Sequence, residues 1–297
     1  MSRLEKLDGV SFRRNAELSA LTSFRVGGPA DVLAVAGSAG GLAGLLELVR
    51  QTGARTFVMG AGTNVLFDDA GFRGVVLKLG GGFSCVAEDP AETGRVCAGA
   101  SAQWSDLIAF CVAHSLSGLQ QTAGIPGTVG GALAGNAGAF GVAVGDRVTE
   151  VTGYDFEGRE RTLEPRDVRF GYRRADFGCE LVLTGTTVAL APGEREALGR
   201  EVEDVLAGRR GKQPLEFPSA GSVFKNPQGG PAGRLIEEAG LKGRRIGGAQ
   251  VSEKHANFIV NRGDARSGDV TSLIELVREE VWRKFSVRLD LEVKVVK

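Results

Sequence analysis

Glycine constrains this chain more than any other residue type. It supplies 45 of 297 residues, and residues 123–141, AGIPGTVGGALAGNAGAFG, hold seven of them in nineteen positions. A second loop, Gly60-Ala61-Gly62-Thr63-Asn64, directly follows the apolar stretch at residues 56–59. Without a Cβ barrier, successive backbone N–H groups can turn toward an anion and approach it closely, so two such loops read as a cradle for a cofactor diphosphate. Spacing narrows the choice of cofactor. Val65 stands where a G-x-G-x-x-G fingerprint needs its third glycine, which leaves a nicotinamide-type site poorly supported. Gly208-Arg209-Arg210-Gly211-Lys212 puts a glycine before a lysine, but Gln213 replaces the magnesium-binding hydroxyl of a P-loop. Each glycine loop taken alone also fits a plain turn, and Asn64 and Asn136 are the polar groups that favour a site.

Length and charge bound the remaining possibilities. A chain of 297 residues points to two or three domains. The 36 basic and 36 acidic side chains cancel, so no global field gathers nucleic acid or an anionic membrane. Cys85, Cys97, Cys111 and Cys179 lie far apart with no C-x-x-C pair, which predicts buried free thiols and no metal centre. The first twenty residues lack a signal-peptide apolar region and no later stretch would span a membrane, so a soluble cytoplasmic protein is expected.

Strands and helices alternate along the chain. Short buried strands are expected at residues 31–36 and 56–59, with Leu42, Leu45, Leu46 and Val49 on one helix face between them. Further strands are expected at 75–79, 83–87, 96–98, 148–156, 159–163 and 181–190, and helices at 104–113 and 194–206. Residues 208–218, GRRGKQPLEFP, break the periodicity and mark a domain boundary. Beyond it come a helix at 234–239, strands at 249–251 and 258–260, and a terminal helix. Val270, Leu273, Ile274, Val277 and Val281 form its apolar face, and Ser267 is placed to cap it. Val287, Leu289, Leu291, Val293 and Val295 alternate in a closing strand at 287–296, regular enough to join a sheet built by much earlier segments.

Three places carry candidate chemistry. Residues 218–227, PSAGSVFKNP, confine Ser222, Lys225 and Asn226 between prolines, as a reactive site or as a capped turn. Arg173, in Phe170-Gly171-Tyr172-Arg173, offers a planar donor fork suited to a carboxylate or a developing enolate, or is an exposed arginine after a turn. Glu292 interrupts the apolar alternation of the last strand together with Asp290 and Lys294, as part of a solvated face or as an inward carboxylate. His114 reads as a partly buried structural residue and His255 as surface or pocket. With only these two histidines and no G-x-S-x-G elbow, a hydrolytic triad is poorly supported.

Taken together, the motifs resemble the UDP-N-acetylenolpyruvoylglucosamine reductase (UDP-N-acetylmuramate dehydrogenase) family. They run in the family's order: TSFRVGGPA at 22–30, GAGTN at 60–64, GIPGTVGG at 124–131, NAGA at 136–139, FGYR at 170–173, the segment around Ser222, GGA at 247–249 and LEV at 291–293. Tyr172 and Ser222 lie too close in sequence for the extra loop of the longer family type, so the chain is similar to the shorter, second type. The resemblance implies an α+β protein with a two-part FAD-binding fold of the vanillyl-alcohol-oxidase type and a C-terminal α+β substrate domain. The implied limits are 1–74 (with 286–297 returning to it), 75–211 and 212–285.

It further implies noncovalent FAD, NADPH as reductant, UDP-N-acetylglucosamine enolpyruvate as substrate, and a monomer. Carried over, Ser222 becomes the proton donor, Arg173 the enolate-stabilising arginine and Glu292 its assistant. Flavin contacts fall to Val58, Gly60, Ala61, Gly62, Thr63, Asn64, Val65, Gly124, Ile125, Pro126, Gly127, Val129, Gly130, Asn136, Ala137 and Gly138, and substrate contacts to Tyr172, Lys212 and Asn226. The runner-up is another FAD-dependent oxidase or dehydrogenase of the same flavin fold. Phe140 where relatives have tyrosine, Ala134-Gly135 before Asn136, and Ala175 after Arg174 depart from the family pattern.

Overall fold

A computed structural model describes residues 7–297. The chain divides into two compact units. The first holds the residues up to Arg14, Val32–Gly60 and Gly74–Gly208; the second holds Asn15–Asp31, Ala61–Arg73 and Arg209–Lys297.

In the first unit, helix α1 (Ala39–Thr52) starts where Ser38 accepts the Gly41 N–H and stops at Gly53, whose left-handed backbone only glycine adopts without penalty. Its Leu42, Leu45, Leu46 and Val49 are buried, as their spacing requires, against Ala34, Ala36, Val75 and Leu77. Strand Thr56–Val58 runs parallel to Phe72–Leu79, in a four-stranded sheet whose residues within this unit follow the order 10–14, 32–36, 74–79, 56–58. A separate five-stranded antiparallel sheet has the order Glu160–Leu163, Val148–Asp155, Leu181–Ala189, Arg95–Gly99, Val86–Glu88. Helix α2 (Trp104–Ala113) and the short helix α3 (Val129–Ala134) share one apolar core with this sheet, in which Trp104, Leu107, Val129, Leu133, Val96 and Val188 are fully or nearly fully buried. Burial of such side chains contributes roughly 1.5–3 kcal/mol each. Trp104 keeps its polar end satisfied through Nε1–H to Thr122 Oγ1 at 3.1 Å.

Helix α4 (Arg195–Lys212) runs on through Gly208 and Gly211, so the break expected from residue 208 begins only after Lys212, and Pro214 is the first residue that cannot continue the helix.

In the second unit, helices α5 (Ala232–Glu238) and α6 (Ser267–Phe285) share a core with an antiparallel sheet ordered Ser219–Ser222, Phe258–Asn261, Ala249–Val251, Arg245–Ile246. The apolar stripe of α6 is buried at all five expected positions. Its cap differs from expectation. Arg266 is the N-cap position and Asp269 accepts its N–H, while Ser267 is the first helical residue, donating its N–H to the Asp69 carboxylate and accepting the Asp69 N–H on Oγ.

Three other readings need correction. The strand expected at 83–87 is a 3-10 turn at Gly81–Phe83 followed by a strand at Val86–Glu88. The closing strand is only Lys294–Val296, paired in parallel with Val65–Phe67. Residues 287–293 keep the predicted alternation, with Leu289 and Val293 buried, but pack as an irregular segment on α6. The thiols are not all buried: Cys85, Cys97 and Cys179 are exposed, because the alternation of Arg95–Gly99 turns Cys97 outward between buried Val96 and Ala98. Burial pushes the Cys111 thiol up to about 12.

Candidate active site

The two glycine loops do meet. A Cβ on Gly60 would lie 2.6 Å from Thr128 Oγ1, a separation no real side chain tolerates, so Gly60 is a glycine because the second loop lies against it. Gly62 has φ +70° and a Cβ there would stand 2.4 Å from Leu21 O, so both close approach and backbone conformation exclude other residues. The N–H groups of Gly60, Ala61 and Gly62 have no acceptor among the described residues, and Val58, just before them, exposes 38% of its surface. Undonated amides beside an exposed apolar strand end suit a diphosphate joined to a flat aromatic group.

The second loop contributes differently. The Val129 and Gly130 N–H groups donate to Ala102 O and Ala100 O, and that of Gly131 to Thr128 Oγ1, the N-cap of α3. Ile125 and Ala137 likewise donate within the chain, whereas Gly124 and Gly127, both at positive φ, find no acceptor there. This loop is therefore mostly wall, with Gly124 and Gly127 among its undonated amides. Neither loop contains a cysteine, histidine or tyrosine to which a flavin could be covalently joined.

Asn136 and Arg173 come together within the first unit. Arg169–Gly171 and Arg174–Asp176 form a hairpin whose two-residue turn is Tyr172-Arg173, and Arg173 sits at φ +54°, a conformation that L side chains rarely adopt. Arg173 is half-buried and its Nη1 donates to Gly138 O at 2.7 Å; Tyr172 is 57% exposed beside it, with the guanidinium carbon 5.6 Å from its ring centre. Asn136 is buried and also at positive φ. Its Oδ1 accepts the Gly145 N–H and its Nδ2 donates to Gly171 O, both at 2.9 Å. Arg173 is thus not an exposed arginine after a turn.

The second unit brings Ser222, Glu292 and Asn64 together. Gly221, at φ +75°, makes a bulge between Ser219 and Ser222, which changes the aim of the half-buried Ser222 at the end of its strand. The Glu292 N–H donates to Val223 O at 2.8 Å, and Asn64 Nδ2 donates to Glu292 O at 3.1 Å. Glu292 is half-buried while Asp290 and Lys294 are exposed, so the three acidic and basic residues do not share one solvated face. Asn226, exposed, accepts the Ala232 N–H on Oδ1, and Lys212 is exposed at the end of α4.

Sequence reading missed Asn257. It is 4% exposed, its Oδ1 accepts the Phe224 N–H at 3.0 Å, its Nδ2 donates to Phe224 O at 2.8 Å, and its own carbonyl accepts the Val223 N–H. One side chain thereby imitates a strand partner for the residues between Ser222 and Asn226. The available signal was an asparagine preceding the apolar run at 258–260. His255 Nδ1 accepts the Asn257 N–H, and burial holds the His255 imidazole below its usual range, favouring the neutral ring that can accept. His114, expected to be partly buried, is exposed, stacked on Phe110 and bonded to Glu88.

The fold is that of an FAD-binding flavoprotein. A model of an FAD binding domain matches residues 30–164, and one described as the C-terminal domain of UDP-N-acetylenolpyruvoylglucosamine reductase matches 213–296. The UDP-N-acetylenolpyruvoylglucosamine reductase of Syntrophus aciditrophicus is 44% identical over 94% of this chain and 90% of its own, and that of Heliobacterium modesticaldum 46% over 94% and 88%. The crystal structure of the Thermus caldophilus enzyme of that name superposes with a TM-score of 0.81 at 34% identity, covering 97% of this chain and 99% of its own. The chain belongs to the UDP-N-acetylenolpyruvoylglucosamine reductase family. For the fold alone, 6-hydroxy-D-nicotine oxidase of Arthrobacter nicotinovorans gives a TM-score of 0.50 at 15% identity over 96% of this chain and 60% of its own. The α+β fold class with an FAD-binding part of the vanillyl-alcohol-oxidase type is as expected from sequence.

Proposed function

We propose that this protein reduces UDP-N-acetylglucosamine enolpyruvate to UDP-N-acetylmuramate, with NADPH as reductant, for peptidoglycan precursor synthesis. Gly60, Ala61, Gly62 and the facing loop would hold FAD noncovalently, and the bound flavin would supply the hydride chemistry that links NADPH to the terminal carbon of the enolpyruvyl ether. The chain's own residues manage charge and proton. As the hydride adds, negative charge develops across the adjacent carbon and the carboxylate, and Arg173 stabilises it with a planar fork already oriented by its bond to Gly138 O. Glu292 assists at the same group. Ser222 gives its hydroxyl proton to the carbon next to the carboxylate; the hydroxyl is a weak acid, but an enolate carbon is basic enough to take the proton when geometry is fixed. Tyr172, Lys212 and Asn226 serve the nucleotide sugar.

The observation that supports this reading best is the placement of Glu292, bonded through its N–H to Val223 next to Ser222 and through its carbonyl to Asn64 of the glycine loop. Among the described residues no helix is long and apolar enough to cross a membrane. We place the enzyme in the cytoplasm, where NADPH and nucleotide sugars are found, as a monomer acting without nucleic acid or membrane. Anaerobic stopped-flow absorbance tests the function. NADPH should bleach the bound flavin and UDP-N-acetylglucosamine enolpyruvate should restore its colour; bleaching without restoration would instead indicate a flavin enzyme for another substrate.

A further inference from the structure

We infer that Asn136 is a positioning residue for Arg173, its side chain serving the arginine turn and not the cofactor. The inference rests on the role proposed above for Arg173. Both ends of the Asn136 amide are already engaged by the chain, Oδ1 by the Gly145 N–H and Nδ2 by Gly171 O, the carbonyl immediately before the Tyr172-Arg173 turn. Arg173 returns a bond from Nη1 to Gly138 O, two residues beyond Asn136. The two segments are therefore joined by a closed ring of bonds, each supplying a side chain to the other's backbone.

Two further features are explained by this ring. Gly145, the residue whose N–H Asn136 accepts, lies flat against the Phe170 ring, where a Cβ would stand 2.5 Å from Phe170 Cγ, so the hairpin is seated on the same segment by packing as well. Both Asn136 and Arg173 have positive φ, 41° and 54°. Left-handed backbone at two non-glycine residues persists only where surroundings over-determine it, and here each residue's strained conformation aims the side chain that holds the other. Asparagine is among the side chains that tolerate this conformation best and it carries both a donor and an acceptor.

The experiment compares Asn136→Gly, Arg173→Ala and the double variant as FAD-loaded proteins. Glycine keeps the positive φ while deleting the amide. We expect Asn136→Gly to hold FAD within threefold of wild type and to be reduced by NADPH at a near-normal rate. Its reoxidation by UDP-N-acetylglucosamine enolpyruvate should slow at least tenfold, with the double variant no slower than Arg173→Ala alone. Amide hydrogen exchange of residues 169–176, a readout independent of turnover, should accelerate. Asn136→Asp provides a second variant should glycine impair folding: its carboxylate keeps the Gly145 acceptor but repels Gly171 O, so reoxidation relative to wild type should recover as pH falls and the carboxyl regains a proton to donate. Loss of FAD in proportion to activity, or normal reoxidation by Asn136→Gly where Arg173→Ala is impaired, would overturn the inference. Normal reoxidation by Arg173→Ala would overturn the reading of Arg173 itself, and this inference with it.

Discussion

Two buried asparagines hold the two segments that carry the proposed chemistry, and they do so in different surroundings. Asn136 bonds Gly171 O, which belongs to an exposed glycine at the base of a hairpin turn. Asn257 bonds the N–H and C=O of Phe224, a residue only 1% exposed. When the first contact is broken, water can reach the orphaned carbonyl; when the second is broken, two backbone groups stay buried without partners, at a cost of about 1–3 kcal/mol each. The first asparagine therefore bears mainly on where a side chain points, and the second on how stable its unit is. The same amide chemistry becomes aim or architecture according to what can replace it.

The largest expected effect bears on the second region. Ser222→Ala should slow flavin reoxidation by UDP-N-acetylglucosamine enolpyruvate by roughly 10²–10⁴-fold, the usual worth of a positioned proton donor, while leaving reduction by NADPH intact in stopped flow. Equal loss of both half-reactions would remove Ser222 from the chemistry. Asn257→Ala should then lower unfolding free energy in urea by about 2–4 kcal/mol, against about 1 kcal/mol for Asn136→Gly. Similar losses for the two would mean that both asparagines serve stability alike.

In the first region, Arg173→Lys keeps the charge but loses the fork, and should slow reoxidation by about 10–100-fold with little change in urea stability. The smallest effect concerns pH. The folded-state pKa of His255 is depressed by burial, so the stability it contributes is fully present above its unfolded value and is lost as pH falls through the folded one. Protection of the amides of residues 222–226, measured against the intrinsic exchange rate at each pH, should fall on acidification, and His255→Gln should flatten that dependence. Among the described residues no titratable group bonds the Asn136 amide, and Asp176 of that hairpin, bonded to the Gly178 N–H and paired with Arg169 and Arg174, is held below the usual carboxylate range, so protection at 169–176 should respond less over the range in which His255 titrates.

Periodic elements were legible from sequence because their burial follows local spacing. Helices α1 and α6 and the hairpin at 148–163 needed only the positions of their apolar residues. The glycine loops were legible as loops, and the structure added the reason for Gly60, which is Thr128 from the other loop. Helix α3 stayed hidden because four of its six residues are glycine or alanine, and its formation depends on Thr128 as cap and on the core it joins. The left-handed turn at Arg173 and the bulge before Ser222 were also illegible, since both are imposed by partners distant in sequence. Asn257 looked like a polar residue in a loop; only the fold places Phe224 within reach of both ends of its amide.

The pairing of Lys294–Val296 with Val65–Phe67 also sets an order of events in synthesis. Asn64, at the end of the glycine loop, waits for Glu292, 228 residues later in the chain. At roughly 5–20 residues per second, that is about 11–46 s of translation during which the strand after the loop lacks its partner. Leu66 and Phe67, destined for 1% and 0% exposure, spend that interval without their final neighbours. A nascent chain would therefore complete the helices and hairpins of its middle before it could assemble the loop proposed to receive FAD.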